Sequence, residues 1–211
     1  MRWFLVMLLL ALPVLAEEAE WKTVVKGPIT VKNRSLEGTA LKEIWAEGEV
    51  DAPARDVQDA LMDVARLPFY MPYVKEARTL DELPPDGGVF VYTLVALPVL
   101  GKRDYVVRLE LKESLAADGT GTFRNEWHAF PDQLPRRGSI IRLTRDDGSW
   151  VVTPRGEGKC WAVYRFTVDP GGWLPAFAVN LGNQSGVKET WEAIAKEAQR
   201  RRSARLAASS E

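Results

Sequence analysis

The side chains that could perform nucleophilic, acid–base or metal chemistry are few in this chain. There is 1 His, His128, and 1 Cys, Cys160, among 211 residues. A Ser/His/acid triad would have to use His128, and Ser185 lies in Gly-Asn-Gln-Ser-Gly, which lacks the Gly-x-Ser-x-Gly spacing of a nucleophile elbow. One His and one Cys are too few for a zinc site, and no glycine-rich loop opens a helix to hold phosphate. We therefore predict a protein that is not an enzyme and has no metal or cofactor.

Three polar residues in strand-like segments are candidates for holding the polar end of a ligand. His128 either lines a cavity or is a structural histidine, and its neighbour Trp127 points to the opposite face of the strand. Arg108 would orient a ligand through a charge-assisted hydrogen bond if it faces inward. The alternative is that Arg108 faces solvent, because the charged residues Glu110 and Lys112 lie two and four positions later and so point to the same face of the strand. Arg142 either lines the cavity or lies at the surface with a packed stem.

The segments that position these residues alternate as the strands of an antiparallel sheet do. Residues 42–50 carry apolar side chains on one face and Glu and Trp on the other. A helix follows, with Asp51 as the N-cap, Pro53 in the first turn and Pro68 as the stop. Further strands are predicted at about 89–97, 105–112, 121–129, 139–143, 149–153 and 160–168. Turn residues separate them at 84–88, 118–119, 135–138, 146–148 and 156–158.

The end of the chain changes from strand to helix. Residues 162–168 are strand-like, and Pro170 with two glycines then turns the chain. From about Leu174 the apolar residues recur at helical spacing, with Phe177, Leu181, Val187, Trp191, Ile194 and Ala198 close to one face. A sheet followed by one long terminal helix predicts a cavity with a cover.

The first sixteen residues have the pattern of a secretory signal. Arg2 supplies the positive start, residues 3–12 are an apolar run, and Ala16 ends the segment. We expect cleavage near Ala16 and a periplasmic or secreted protein; the alternative is an uncleaved anchor, but the run is far shorter than the roughly 20 residues of a spanning helix. Residues 17–211 then form one domain. With 28 Lys+Arg against 29 Asp+Glu, nothing favours nucleic acid.

Three sequence blocks resemble the START family, the steroidogenic acute regulatory protein-related lipid-transfer domains. They are Asp169-x-x-Gly172-Trp173-Leu174-Pro175 followed by Asn180, residues 97–108 with Arg103-Asp104-Tyr105-Val106, and Asp51-Ala52-Pro53 leading into residues 57–76. The resemblance implies an α+β helix-grip fold: a curved antiparallel β-sheet wrapped around a long C-terminal α-helix, with an apolar cavity between them. It also implies that Arg108 faces the cavity. In sterol-carrying members the matching arginine pairs with a carboxylate on the preceding strand, but residues 91–95 contain none.

These observations predict non-enzymatic binding of one hydrophobic lipid and its transfer between membranes by a monomer that contacts membranes transiently. The lipid should lie against residues from several elements: Tyr92, Leu94, Arg108, Trp127 or His128, Arg142, Phe177, Leu181 and Trp191. The gate is placed between Pro98-Val99-Leu100-Gly101 and the start of the terminal helix at Trp173; the alternative is that Val99 and Leu100 plug the core. Two other functions stay open, a polyketide cyclase or aromatase with polar groups converging in the same cavity, and a structural protein with a filled interior.

Overall fold

The structure, a computed structural model, describes residues 20–98, 100–156, 158–172 and 185–209. The strands are β1 Lys22–Val25, β2 Ile29–Ser35, β3 Lys42–Val50, β4 Val74–Thr79, β5 Val89–Leu97, β6 Gly101–Glu113, β7 Phe123–Ala129, β8 Ile141–Arg142, β9 Asp146–Arg155 and β10 Lys159–Val168. The helices are α1 Ala54–Met62, α2 Leu67–Tyr70 and α3 Val187–Ala208, with a 3-10 turn at Val64–Arg66. Within this part of the chain, no helix is long and apolar enough to cross a bilayer.

The strands form one curved sheet in the order β1-β2-β3-β10-β9-β7-β6-β5-β4. All neighbours on this path are antiparallel, and β8 adds a short parallel pairing to β6. The pairing of β3 with β10 brings the first three strands back beside the last one. With a long helix at its C-terminal end, this is the helix-grip arrangement that the sequence predicted.

Each strand has an inner face, covered by α1 and α3, and an outer face. On β3 the inner residues are Ile44, Ala46, Gly48 and Val50, as the alternation predicted. On β5 and β6 the inner face carries Val91, Val107 and Leu109, which form one apolar cluster with Val64 of the helical region. Because successive side chains on a strand alternate, the even-numbered residues of β5 and β6 must lie on the outer face.

The main core lies between the inner face and α3. Trp191 packs beside Trp150 with ring centroids 5.7 Å apart, and Val187, Ile194 and Ala198 are buried on the same side of the helix. The helix stripe predicted from residue 187 onward is therefore confirmed. Cys160 is buried in this core, and burial raises the pKa of its thiol to about 12, so it is an inert apolar residue.

Ion pairs attach the second half of α3 to α1. Arg201 donates to Asp63 at 2.6 Å, and Arg205 donates to Asp56 at 2.5 Å. Asp56 is almost fully buried, so its carboxylate depends on this partner. The arginines that the sequence placed at the end of the chain thus hold the helix on the domain.

The outer face differs between the two halves of the sheet. Beside β2, β3 and β10 it is covered by ion pairs, among them Lys32 with Glu47 at 2.7 Å and Arg34 with Glu43 at 2.6 Å. Beside β5 and β6 it is covered instead by residues 130–143, because Leu134 and Ile140 pack there on Phe90, Tyr92, Leu94 and Val106. This second, smaller core lies on the side of the sheet opposite to α3.

A buried ion pair lies within that smaller core. Arg142 donates two hydrogen bonds to the carboxylate of Asp104, at 2.8 and 3.0 Å, and neither side chain exposes any surface. Arg142 also donates to the carbonyl oxygens of Pro131 and Leu134, at 2.5 and 2.9 Å. Both alternatives that the sequence left for Arg142, a cavity wall or a surface position, are wrong; it holds residues 130–143 against the outer face.

Several boundaries differ from the sequence prediction. Asp51 is not the N-cap of α1; the helix begins at Ala54 after Pro53, without a side-chain cap. Pro68 does not end the helical region, because it lies in the first turn of α2, where its missing N–H is tolerated. The strand predicted at 139–143 is reduced to β8. The turn predicted at 146–148 is instead the beginning of β9.

Replacing Asp104 by Asn should strongly destabilise the protein, because the Arg142 guanidinium would stay buried without its counter-charge. We expect the free energy of unfolding to fall by about 3 to 5 kcal/mol. Denaturant unfolding measures this change. Glu192→Gln is the matched control, since it removes an exposed ion pair on α3 at 3.7 Å and should cost less than about 0.5 kcal/mol. Equal effects of the two substitutions would contradict the role given to the buried pair.

Candidate ligand-binding site

Several of the predicted lining residues lie on the outer face. Tyr92 and Leu94 belong to the small core beneath residues 130–143, and Tyr92 donates to Asp104 at 3.3 Å. Arg108 pairs across the strands with Phe90 and His128, which places it on the same side. The prediction that these residues line a space beneath the terminal helix is therefore wrong. Arg142 does not line such a space either, because its guanidinium is held on the outer face by the ion pair with Asp104.

Arg108 has partners that explain its position. Its guanidinium donates to the carbonyl oxygens of Asp86 and Gly87, both at 2.9 Å, and lies 3.3 Å from the carboxylate of Glu110. The arginine thus fixes the turn between β4 and β5. The parity argument in the sequence indicated this outer position, and the inward orientation implied by the family resemblance is wrong.

Of the pair Trp127 and His128, Trp127 is on the inner face. Its ring packs against the inner clusters, whereas His128 is 55% exposed on the outer face and lies 3.3 Å from Asp147. Trp191 is on α3 and is buried against the sheet. Phe177 and Leu181 lie outside the described residues, so their predicted role stays a prediction.

A group of polar and aromatic side chains that the sequence did not predict surrounds Trp127 on the inner face. Trp127 donates from Nε1 to Asp146 Oδ1 at 2.9 Å. Tyr164 lies beside Trp127 with ring centroids 6.1 Å apart and stacks on Trp150 at 4.3 Å. Tyr105 is on the adjoining part of β6. We call Tyr105, Trp127, Asp146 and Tyr164 the inner polar cluster.

The inner polar cluster is desolvated. Burial raises the pKa of the Asp146 carboxyl to about 6, although the hydrogen bond from Trp127 opposes the rise. Burial and the nearby charge of Asp146 also raise the pKa of both Tyr105 and Tyr164. Near neutral pH, Asp146 therefore changes between a neutral and a charged form, while both tyrosines keep their protons.

These side chains nevertheless keep accessible surface. Tyr105, Trp127, Asp146 and Tyr164 are all half-buried, and so is the neighbouring Phe166. This surface lies beyond the packing of α3, because the ring contacts run from Trp191 to Trp150 and then to Tyr164. A few polar groups among mainly apolar side chains are typical of the wall of a ligand site.

Gly148 is the reason that Trp127 can lie across β9. A Cβ atom at residue 148 would stand 2.3 Å from the Trp127 ring and 2.6 Å from the carbonyl oxygen of Arg165. Only glycine leaves room for the ring at this point, which then reaches Asp146 two residues earlier on the same face. In the sequence this glycine is preceded by two aspartates, a composition typical of a turn. The sequence therefore predicted a turn at 146–148 and gave no sign of the site.

Arg103 lies at the border of this region. It shares the inner face of β6 with Tyr105 and is buried, and its Nε donates to the carbonyl oxygen of Pro170 at 3.1 Å. Burial lowers the pKa of its guanidinium. This bond attaches β6 to the chain just before residue 173.

The predicted gate is only partly within the described residues. Pro98 is exposed, Leu100 is half-buried and donates its N–H to the Pro98 carbonyl at 2.7 Å, and Gly101 begins β6 with φ of 77°. These features form a tight turn at the end of the β5–β6 hairpin. Val99 and Trp173 lie outside the described residues, so the gate stays a prediction.

The inner polar cluster can accept a hydrogen bond at Asp146 and donate from two phenolic hydroxyls. It offers two carboxylate oxygens and no imidazole or thiolate, and among the described residues no set of three or more His, Cys, Asp or Glu is arranged to hold a metal ion. Its chemistry therefore suits the recognition of a hydroxyl, an amine or a carbonyl group at the end of an apolar molecule.

Asp146→Asn should stabilise the protein near neutral pH, because it removes a carboxyl whose charged form is poorly solvated. A carboxyl with a raised pKa favours the folded state most below its unfolded pKa and loses that contribution as pH rises through about 6. The gain from Asn should reach at most about 3 kcal/mol at about pH 8 and shrink as pH falls towards about 4. Denaturant unfolding across this range measures it.

The exposed neighbour Asp147 provides the control for that measurement, since its side chain is 39% accessible on the outer face. Asp147→Asn should not stabilise the protein, because the Asp147 carboxylate lies beside His128 and Arg145. A gain for Asp146→Asn of the same size at all pH values would show that desolvation of the carboxyl is not its cause.

Comparison with known proteins identifies the family. The profile of the family described as polyketide cyclase / dehydrase and lipid transport matches residues 50–195. Phosphatidylcholine transfer protein of Rattus norvegicus is 25% identical over 173 residues, which are 80% of this chain and 79% of that protein. A STAR-related lipid transfer protein from Xanthomonas axonopodis, 26% identical, matches with a TM-score of 0.72 over 85% of this chain and 98% of that one.

Human StAR-related lipid transfer protein 5 matches with a TM-score of 0.76 over 88% of this chain and 89% of that one, at 17% identity. This likeness concerns the fold, and it agrees with the sheet order and the terminal helix described above. The resemblance that the three sequence blocks carried is thus confirmed, and the chain belongs to the polyketide cyclase / dehydrase and lipid transport family with a START-like helix-grip fold.

Proposed function

We propose that this protein binds a single lipid on the inner face of its sheet and transfers it between membranes. The observation that carries the proposal is the inner polar cluster, which is desolvated yet retains accessible surface beside Phe166. An apolar chain placed there would replace hydration by apolar contact at roughly 25 cal/mol per Å² buried. The relatives named for lipid transfer support the same function.

The polar end of the lipid would lie against Asp146, Tyr105 and Tyr164. A ligand that donates a hydrogen bond to Asp146 would favour the ionised carboxylate and lower its pKa. Arg108 takes no part in this arrangement because it is on the other face. The predicted signal segment would place the activity in the periplasm or outside the cell. A mature protein whose measured mass corresponds to a chain that begins at Glu17 would support that placement.

Filling the space beside the cluster should abolish lipid binding. Val95 is half-buried and, by its pairing with Arg103, lies on the inner face, so Val95→Trp would occupy the space. We expect the amount of lipid bound per protein to fall at least tenfold. This fall corresponds to a loss of about 1.4 kcal/mol or more in binding free energy. Mass spectrometry of lipids that co-purify with the protein gives the occupancy, and a vesicle-to-vesicle assay with fluorescent lipid gives the transfer rate.

Val163→Trp is the matched control, because Val163 is an equally half-buried valine on the outer face of β10. Arg108→Leu is a second control, and it should leave lipid occupancy unchanged. Wild-type protein that contains no lipid and transfers none would refute the proposal, as would equal loss in Val95→Trp and Val163→Trp.

A second function, polyketide cyclisation, is favoured by one observation. The pKa of Asp146 near 6, with two phenolic hydroxyls beside it, suits general acid–base catalysis. The description of the family names cyclases as well as lipid transport. The discriminating experiment incubates wild-type protein and Asp146→Asn with a linear poly-β-ketone. Cyclisation that requires Asp146, by protein that contains no lipid, would establish the enzyme and exclude the carrier.

A further inference from the structure

The short helix α2 holds one aromatic side chain out in the solvent. Phe69 is 77% exposed, although both of its flanks are fixed. On one side Leu67 packs against the inner cluster around Val64, and on the other the Tyr70 hydroxyl donates to the carbonyl oxygen of Ala60 at 2.7 Å. Pro68 restricts the backbone between them. The backbone thus holds the ring in an exposed position, where most of its apolar surface meets solvent.

Basic side chains surround this ring. The Arg66 guanidinium lies 5.6 Å from the centre of the Phe69 ring. Across a crevice of about 320 Å³, α3 presents Lys196 and Arg200, both exposed. We call Arg66, Phe69, Lys196 and Arg200 the α2–α3 surface.

The charge of this surface is not balanced locally. The one carboxylate in the crevice is that of Glu197, which is buried and accepts two hydrogen bonds from Arg200, both at 2.7 Å. It also accepts one from Arg201 at 3.0 Å and lies 3.5 Å from Arg66. Lys196 has no ion-pair partner within the described residues, and the buried Nε of Arg66 donates no hydrogen bond there. Several cations therefore share one anion.

We propose that the α2–α3 surface docks this protein on an anionic membrane, with Phe69 inserted at the level of the headgroups and Arg66, Lys196 and Arg200 in contact with lipid phosphates or carboxylates. An aromatic ring flanked by cations is the composition that binds such an interface, since the ring prefers the boundary region and each cation near the surface adds attraction. A single projecting ring is too small for a stable protein interface, which buries roughly 1,000 Å² or more.

The position of this surface relates docking to ligand exchange, and in this respect the inference rests on the proposed function. Tyr73 lies shortly after α2, and its carbonyl oxygen accepts the N–H of Ala96 at 2.9 Å, near the end of β5 and just before the turn at 98–101. Glu189, in the first turn of α3, raises the pKa of the Tyr73 hydroxyl, so the two side chains lie near each other. Tyr73 thus links α2 to both elements between which the sequence placed the gate.

The backbone at Tyr73 agrees with a functional role for this link. Its φ is 64°, and among the described residues it is the one non-glycine residue with a positive φ. Such a conformation is unfavourable for a bulky side chain and persists only where neighbouring contacts enforce it. The hydrogen bond from Ala96 to the Tyr73 carbonyl is one such contact.

Binding of the full-length mature protein to vesicles tests the inference. With vesicles of phosphatidylcholine containing roughly 30% phosphatidylserine, co-sedimentation should detect binding that weakens as salt is added. Lys196→Gln should weaken it about fivefold, the equivalent of ~1 kcal/mol for one cation near the surface. Phe69→Ala should weaken binding at least as much, and it should do so on phosphatidylcholine vesicles as well.

Matched controls come from elsewhere on the surface. Leu83 is 66% exposed on the turn before β5, and Lys26 is exposed between β1 and β2 at the opposite edge of the sheet. Leu83→Ala and Lys26→Gln should bind vesicles as the wild type does. Thermal unfolding confirms that all four variants are folded.

Three results would overturn the inference. Wild-type protein could fail to bind the anionic vesicles, the control variants could lose as much binding as Phe69→Ala and Lys196→Gln, or sedimentation equilibrium could show a dimer that Phe69→Ala dissociates. Lipid occupancy, measured on the same samples, separates this inference from the proposed function. Normal occupancy without docking would refute the docking surface alone, and docking by protein that never contains lipid would refute the carrier alone.

Discussion

Neighbouring side chains on a strand point to opposite faces of the sheet, and on β6 this constraint determines which residues can meet a ligand. Arg103, Tyr105 and Val107 point towards the helices, whereas Asp104 and Arg108 point away from them. The outer residues are then bound by their own partners, residues 130–143 for Asp104 and the turn at 86–87 for Arg108. A shift of register by one residue would exchange these two sets and place a buried ion pair where the ligand should lie.

The Asp104–Arg142 pair is what makes that register costly to change. Its hydrogen bonds cross from β6 to β8 and on to the backbone of residues 131–134. A slip of β6 would leave both charges buried without partners, which is among the most destabilising changes a core can suffer. The inner polar cluster, on the opposite face of the same strand, therefore owes its geometry to charges that never touch it.

The sequence predicted most of the fold because alternation and turn residues are local signals. The pattern of β3, the limits of β5 and β10 and the helical stripe from Val187 onward all depend on neighbours within a few residues. The inner polar cluster depends on register between distant strands. Asp146 and Tyr164 come together only because β9 and β10 pair as they do, and the pattern of either strand alone does not show it.

Two signals in the sequence pointed away from the site for physical reasons. Gly148 and the preceding aspartates have the composition of a turn, but the glycine is required inside β9 to admit the ring of Trp127. Arg108 resembled a family arginine that faces a cavity, while its parity with Glu110 indicated the outer face, and parity was correct. The alternation of side chains along the strand was thus a better guide to the orientation of Arg108 than its resemblance to a family residue.

The distribution of ion pairs along α3 indicates which end of the helix can move. Arg201 and Arg205 join its second half to Asp63 and Asp56 of the α1 region, and Glu197 adds a third charged contact, to Arg66 at 3.5 Å. The first turns depend instead on the packing of Val187 and Trp191. Separating the second half would remove the arginine partner of the buried carboxylate of Asp56, which carries a large penalty. Apolar packing can slide without leaving a charge unpaired. Movement of α3 would therefore cost least at its N-terminal end, beside the inner polar cluster and next to the surface that carries Phe69.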